Sequence, residues 1–173
     1  ILSLARPQLG SRMDKIKSEG VELVIAMDVS TSMLAEDVKP SRLEHLKSEM
    51  SRLFDLLGGD KVGLIAFAGS SVLLSLLTPD KSALKMYLEG LSPFTDETQG
   101  TDVHKALLEA RDAFDRGGVD PDEGAKVTRV ILVASDGEDH EEGAIEEAKK
   151  LLKDGYRVFT VAFGTERGGP IPL

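Results

Sequence analysis

The chain has 173 residues, a formal net charge of −9, 29% charged and 41% hydrophobic side chains, and no cysteine. That length suits one domain with a substantial core. The acidic balance, with no stripe of Lys and Arg, argues against nucleic acid as a partner. The missing thiols exclude disulfides, cysteine nucleophiles and cysteine metal sites.

Apolar runs alternate with segments of helical period, which predicts an α/β fold built on a mostly parallel sheet. Residues 8–20 read as a polar lead-in and 21–28 as the first strand. Leu43, Leu46, Met50, Leu53, Phe54 and Leu57 recur at intervals of three and four, so 41–57 is an amphipathic helix, opened by Pro40-Ser41 and closed by Gly58-Gly59. A second strand follows at 61–67. Gly69-Ser70 is too short a link for a crossover, so a third strand at 71–77 runs antiparallel at an edge. Thr78-Pro79-Asp80 opens a helix over about 80–90, and 91–100 is a loop. Val103, Ala106, Leu107, Ala110 and Phe114 line a helix at 102–116, and Gly117 to Lys126 is a surface loop. The fourth strand is 127–135. A helix at 141–154 comes next, with Ile145, Ala148, Leu151 and Leu152 directed inward, and a fifth strand at 156–163.

Two strands end in chemistry. Val24-Ile25-Ala26-Met27 leads into Asp28-Val29-Ser30-Thr31-Ser32, and Val130-Ile131-Leu132-Val133-Ala134 leads into Ser135-Asp136-Gly137. One carboxylate and two hydroxyls at alternate positions form a set of hard oxygen donors, the type preferred by Mg²⁺. Gln99-Gly100-Thr101-Asp102 adds another hydroxyl. Each residue taken alone equally suits a turn or a cap.

Together, Asp28-x-Ser30-x-Ser32, Thr101 and Asp136-Gly137 resemble the metal-ion-dependent adhesion site (MIDAS) of von Willebrand factor A domains. The stretch Met33 to Leu43, the segments Val62 to Gly69 and Ser135 to His140, and the ending Pro170-Ile171-Pro172 are similar to bacterial aerotolerance-type (BatA/BatB-like) membrane proteins. The resemblance implies a doubly wound, Rossmann-like sheet of order 3-2-1-4-5. Asp28 and Asp136 would then meet at the carboxyl ends of adjacent strands, where open sheets bind ligands, at the rim of the domain rather than in its core. It also implies a metal held by Asp28, Ser30, Ser32, Thr101 and Asp136, namely Mg²⁺ or alternatively Mn²⁺ or Ca²⁺, whose shell a partner's Asp or Glu completes.

The family pattern includes a sixth strand and a closing helix, for which no segment after 163 has the period. The fifth strand is therefore expected to be a bare edge, open to self-association. The opening Ile1-Leu2-Ser3-Leu4-Ala5-Arg6-Pro7 is expected to trail a membrane helix, with the domain beginning near 21. The resemblance further implies membrane anchoring, a periplasmic position and association with a MoxR-type AAA+ ATPase system.

Two other functions compete. One is a structural domain whose metal is dispensable. The other is a Mg²⁺-dependent phosphoryl-transfer enzyme, which would want a second acid where Ser30 stands and a phosphate-holding Lys; Lys61, Lys81 and Lys126 have no evident relation to the site. Neither a P-loop nor a Gly-x-Ser-x-Gly elbow occurs. Glu36, Asp37, Glu138 and Asp139 read as a solvated acidic rim. His45, His104 and His140 lack ligand spacing and read as exposed.

Overall fold

The computed structural model describes residues 20–93, 100–119, 126–137 and 143–171. The expectations for the lead-in and for Gln99, Glu138, Asp139 and His140 lie outside these residues. Five strands, β1 (Gly20–Asp28), β2 (Lys61–Phe67), β3 (Ser71–Thr78), β4 (Val127–Ser135) and β5 (Arg157–Ala162), form one sheet of order β3-β2-β1-β4-β5. Only β3 is antiparallel. The helices are α1 (Arg42–Leu56), α2 (Lys81–Glu89), α3 (Val103–Gly117) and α4 (Ala144–Lys153). A 3₁₀ turn at Thr31–Leu34, which the sequence pattern does not announce, follows β1.

The apolar continuity of β1 follows from its central place, because each sheet face has its own layer. Leu23, Ile25 and Met27 pack with Leu43, Leu46, Met50 and Phe54 of α1. Val24 and Ala26 face Ala106, Leu107, Ala110 and Phe114 of α3. Phe54, Phe67 and Phe114 are fully enclosed, each contributing about 1.5–3 kcal/mol by transfer from water. Gly63 lets β3 come close: a side chain there would meet the Ser75 carbonyl at 3.3 Å, beside an irregularity in the β2–β3 register.

The helix starts are locally encoded. The Ser41 hydroxyl accepts from the Glu44 amide at α1, and the Asp80 carboxylate accepts from Ser82 and Ala83 at α2. Asp102 accepts from the Lys105 amide at α3.

α4 departs from the expected orientation. Leu151 is buried and Ala148 packs on the core, but Ile145 is 73% and Leu152 55% exposed. The inward position is taken instead by Glu147, whose carboxylate lies 3.2 Å from Lys150 and 3.8 Å from Arg111 of α3. Among the described residues β5 is a sheet edge, with Phe159 and Val161 exposed.

At the amino-terminal end of the sheet a second buried acid is anchored. Glu22 accepts from the Val119 amide at 2.7 Å and lies 3.4 Å from Arg129 on β4, its neighbour in the β1–β4 register. Arg129 donates to the Val119 carbonyl at 2.8 Å and lies over the Phe114 and Tyr156 rings.

Candidate metal centre

Parallel pairing places the ends of β1 and β4 side by side, with Met27 opposite Ala134. Asp28, the last residue of β1, and Asp136, the first residue after β4, thus lie close together, each where an apolar strand gives way to polar residues. Asp28 is fully buried, not at a solvated rim as its strand-end position suggests. One of its carboxylate oxygens accepts from the Ser30 amide at 2.9 Å, and the other accepts from the Ser135 hydroxyl at 2.6 Å. The Ser30 and Ser32 hydroxyls lie 2.9 Å apart, brought together by the turn that starts the 3₁₀ segment.

Thr101 is also buried. The Asp102 amide donates to the Ala68 carbonyl just beyond β2, and the Lys105 ammonium reaches the Gly69 carbonyl at 3.1 Å. These contacts dock the start of α3 beside β2, whose Phe67 is the register partner of Asp28.

Burial pushes the Asp28 carboxyl above its ordinary value, and the negative charge of Asp136 pushes the same way, against hydrogen bonds from Ser135 and Ser30 that favour the ionised form. Among the described residues no group of three or more His, Cys, Asp or Glu is gathered for a metal. The five residues expected to hold a metal offer two neighbouring carboxylates and three hydroxyls, all hard oxygens, and Asp28 among them is desolvated. This set fits a small divalent cation and offers a soft metal no sulfur or imidazole ligand.

Three contributors escape sequence reasoning. Ser135 is the last residue of β4, as the apolar run predicts, and its hydroxyl also donates to Asp28. Asp37 does not belong to a solvated acidic rim: its side chain is only 3% exposed and receives both Nε and Nη2 of Arg42, at 2.9 and 3.0 Å. Arg42 gives its remaining nitrogen to Asp136 at 3.0 Å. The one available sequence signal is an acid placed shortly before a basic residue at a helix start. Glu36 does fit the rim, exposed and paired with Lys39. His45 and His104 are half-buried rather than exposed, and His45 packs edge-on against Phe163.

Hydrogen bonds from Arg42 and Thr165 hold the Asp37 carboxyl well below the ordinary range. Its contribution to stability is therefore complete above the unfolded value of 3.8 and is lost as pH falls below that value. Replacing Asp37 by Asn should lower the unfolding temperature at pH 7, and the gap to the unaltered chain should close as the pH falls below the carboxylate range. A gap that stays constant with pH, followed by calorimetry, would refute an ionic contribution.

Comparison with known proteins agrees with this architecture. Residues 23–138 match the von Willebrand factor type A domain. BatB from Bacteroides thetaiotaomicron is 45% identical, with a TM-score of 0.79 over 89% of this chain and 72% of that one. An aerotolerance-related membrane protein from Bacteroides fragilis is 44% identical at the same TM-score, over 89% and 73% of the two chains. A UPF0353 protein of Mycobacterium tuberculosis is 31% identical over 156 residues, 84% of this chain and 45% of the relative. The chain thus spans about half the length of the curated relatives it matches. Proximal thread matrix protein 1 from the mussel byssus, solved with a zinc-occupied MIDAS motif, shares the fold at 20% identity and a TM-score of 0.68, over 83% of this chain and 38% of that one. The chain belongs to the von Willebrand factor type A domain family and is similar, within it, to the BatB-like aerotolerance-related proteins.

Proposed function

We propose that this domain is a non-enzymatic, divalent-cation-dependent protein-binding module. Asp28, Ser30, Ser32, Thr101 and Asp136 would hold the ion, directly or through water. The observation that carries the reading is the fully buried Asp28 carboxylate, raised in pKa, beside a second acid and a pair of hydroxyls that meet at 2.9 Å. Such a site favours an added positive charge. A bound cation supplies a Lewis-acidic position at which a partner's Asp or Glu oxygen completes the shell. The zinc-occupied MIDAS of the mussel protein, on the same fold, supports the assignment.

Ser30 stands two residues after Asp28, where an aspartate-based phosphoryl-transfer site wants its second acid, and this favours binding over catalysis. The relative described as an aerotolerance-related membrane protein extends the proposal to a domain displayed at a membrane; the periplasmic position and the service to a MoxR-type AAA+ system rest on the sequence resemblance to BatA/BatB-like proteins alone. No helix among the described residues is long and apolar enough to cross a membrane.

Calorimetric titration with Mg²⁺ and then Mn²⁺ tests the reading. Ser30→Ala and Thr101→Ala each remove one neutral oxygen and should weaken binding by roughly tenfold, about 1.4 kcal/mol. Capture of a carboxylate-bearing partner should follow the ion, disappearing with chelator and returning with Mg²⁺. Equal cation affinity in the unaltered chain and both variants would refute the shared shell. Partner capture indifferent to chelator would favour a structural domain with a dispensable metal.

A further inference from the structure

The guanidinium of Arg42 joins two parts of the molecule that the sheet alone does not connect. Its Nη1 donates to Asp136 Oδ2 at 3.0 Å, while Nε and Nη2 grip both oxygens of Asp37 at 2.9 and 3.0 Å. Asp37 Oδ2 also accepts from the amide and hydroxyl of Thr165, at 2.8 and 3.0 Å, in the segment that leaves β5. All three charged side chains are withdrawn from solvent: Arg42 is 11% exposed, Asp37 3% and Asp136 not at all. The segment after β5 is fitted closely over them. Gly164 has φ +140°, and a side chain there would meet Arg42 Nε at 3.0 Å; one at Gly169 would meet the Asp37 side chain at 2.7 Å.

The charges decide what this arrangement can do. A lone arginine on Asp136 would neutralise the carboxylate and repel a cation beside it. Here Asp37 offsets the charge of Arg42 through a bidentate pair, so the three groups together keep one negative charge. Asp136 is oriented without being quenched. The planar fork of the guanidinium suits this task because it serves two carboxylates at once, which the point charge of a lysine does not do in the same geometry.

We propose that Arg42 is the positioning residue of the cation site, fixing Asp136 from behind and itself held by Asp37 and, through Asp37, by the Thr165 segment. This inference rests on reading the site as a cation site and adds to it a support that reaches the chain beyond β5. Removing an outer partner of a metal-holding group typically weakens metal binding by 10- to 100-fold.

The test turns on sign. If charge alone mattered, Arg42→Gln would tighten binding, because it removes a positive charge from beside the ion. Positioning requires the opposite, a loss of roughly tenfold in Mn²⁺ affinity by calorimetry on the 173-residue chain. Asp37→Asn should weaken binding as well, since it both frees Arg42 to swing and leaves its charge unbalanced, a direction that charge alone shares; if Arg42→Gln fails to fold, Arg42→Lys, which keeps the charge but not the planar fork, should lose roughly tenfold in its place. The second readout is the Thr165 amide resonance, which should move on addition of Mg²⁺ in the unaltered chain and stay fixed in Arg42→Gln. If the unaltered chain takes up neither ion, the cation reading falls and this inference with it. If it binds either ion while the folded Arg42 and Asp37 variants bind equally well or more tightly, or if Thr165 is silent throughout, the positioning role alone is overturned.

Discussion

Asp28→Asn is expected to abolish Mg²⁺ and Mn²⁺ binding while unfolding, without metal at pH 7, at a temperature no lower than the unaltered chain. Burial raises the pKa of this carboxyl in the folded state above its unfolded value. The stability it provides is therefore greatest below the ordinary carboxylate range and is lost as pH rises through the raised folded value, because the unfolded chain gives up its proton first. At neutral pH a buried carboxylate is held at a cost that a neutral isostere escapes. Asparagine keeps an acceptor for the Ser30 amide and a polar partner for the Ser135 hydroxyl, the two groups bonded to Asp28. A cation that binds only the folded state at a hundred times its dissociation constant adds about 2.7 kcal/mol, roughly 5–10 °C for a domain of this size. Thermal scans with and without metal should show that shift for the unaltered chain and none for the variant. A variant that keeps the shift would remove Asp28 from the cation site. One that melts far earlier without metal would mean that its hydrogen bonds outweigh its desolvation.

Glu22→Ala should do the reverse, costing about 3 kcal/mol of stability while leaving the cation affinity of the folded protein unchanged. Its carboxylate is the acceptor for the Val119 amide and the counter-charge of Arg129, which is itself mostly enclosed over Phe114 and Tyr156. Truncation leaves a sheltered guanidinium without its counter-charge and an amide without its acceptor, the expensive way to break a pair. Glu22→Gln retains an oxygen for Val119 and should fall between the two. Denaturant midpoints measure the difference. A loss below about 1 kcal/mol would mean that water reaches Arg129 freely once the glutamate is gone. Because Glu22 lies near the start of β1 and Asp28 ends it, the two variants separate anchoring at one end of a strand from proposed binding at the other.

Much of this organisation is legible in the sequence because it rests on local chemistry. The apolar runs into Asp28 and Ser135 mark strands covered on both faces, and the short link containing Gly69-Ser70 forces β3 to turn back. Ser41 and Asp80 begin helices by satisfying their first amides. What escapes is set by pairing across long stretches of chain. The Arg42–Asp136 contact spans 94 positions and leaves no periodic trace, so Asp37, the other partner of Arg42, looked like one more surface acid. The direction of α4 departs from its apolar spacing for a related reason. Ile145 and Leu152 have the spacing of a buried stripe, but Leu151 and the Glu147–Arg111 contact fix the helix with those two side chains outward. The roles proposed for Ser30, Ser32 and Thr101 rest on family resemblance, since a hydroxyl on a turn has the same local signature whether it caps the backbone or holds an ion.

The order of the strands also bears on how the protein comes into being. β1 lies between β2 and β4, and β4 follows it in the chain only after α1, β2, β3, α2 and α3. A chain emerging from the ribosome as far as Gly117 already carries Asp28, Ser30, Ser32 and Thr101, yet β1 still has one side unpaired and Asp28 lacks both Ser135 and the neighbouring Asp136. Such distant pairing forms late, because the intervening loop must be closed before any contact rewards it. The proposed oxygen cradle is thus finished only when β4 enters the sheet, and uptake of an ion would report the completed domain rather than the one turn that supplies most of its donors.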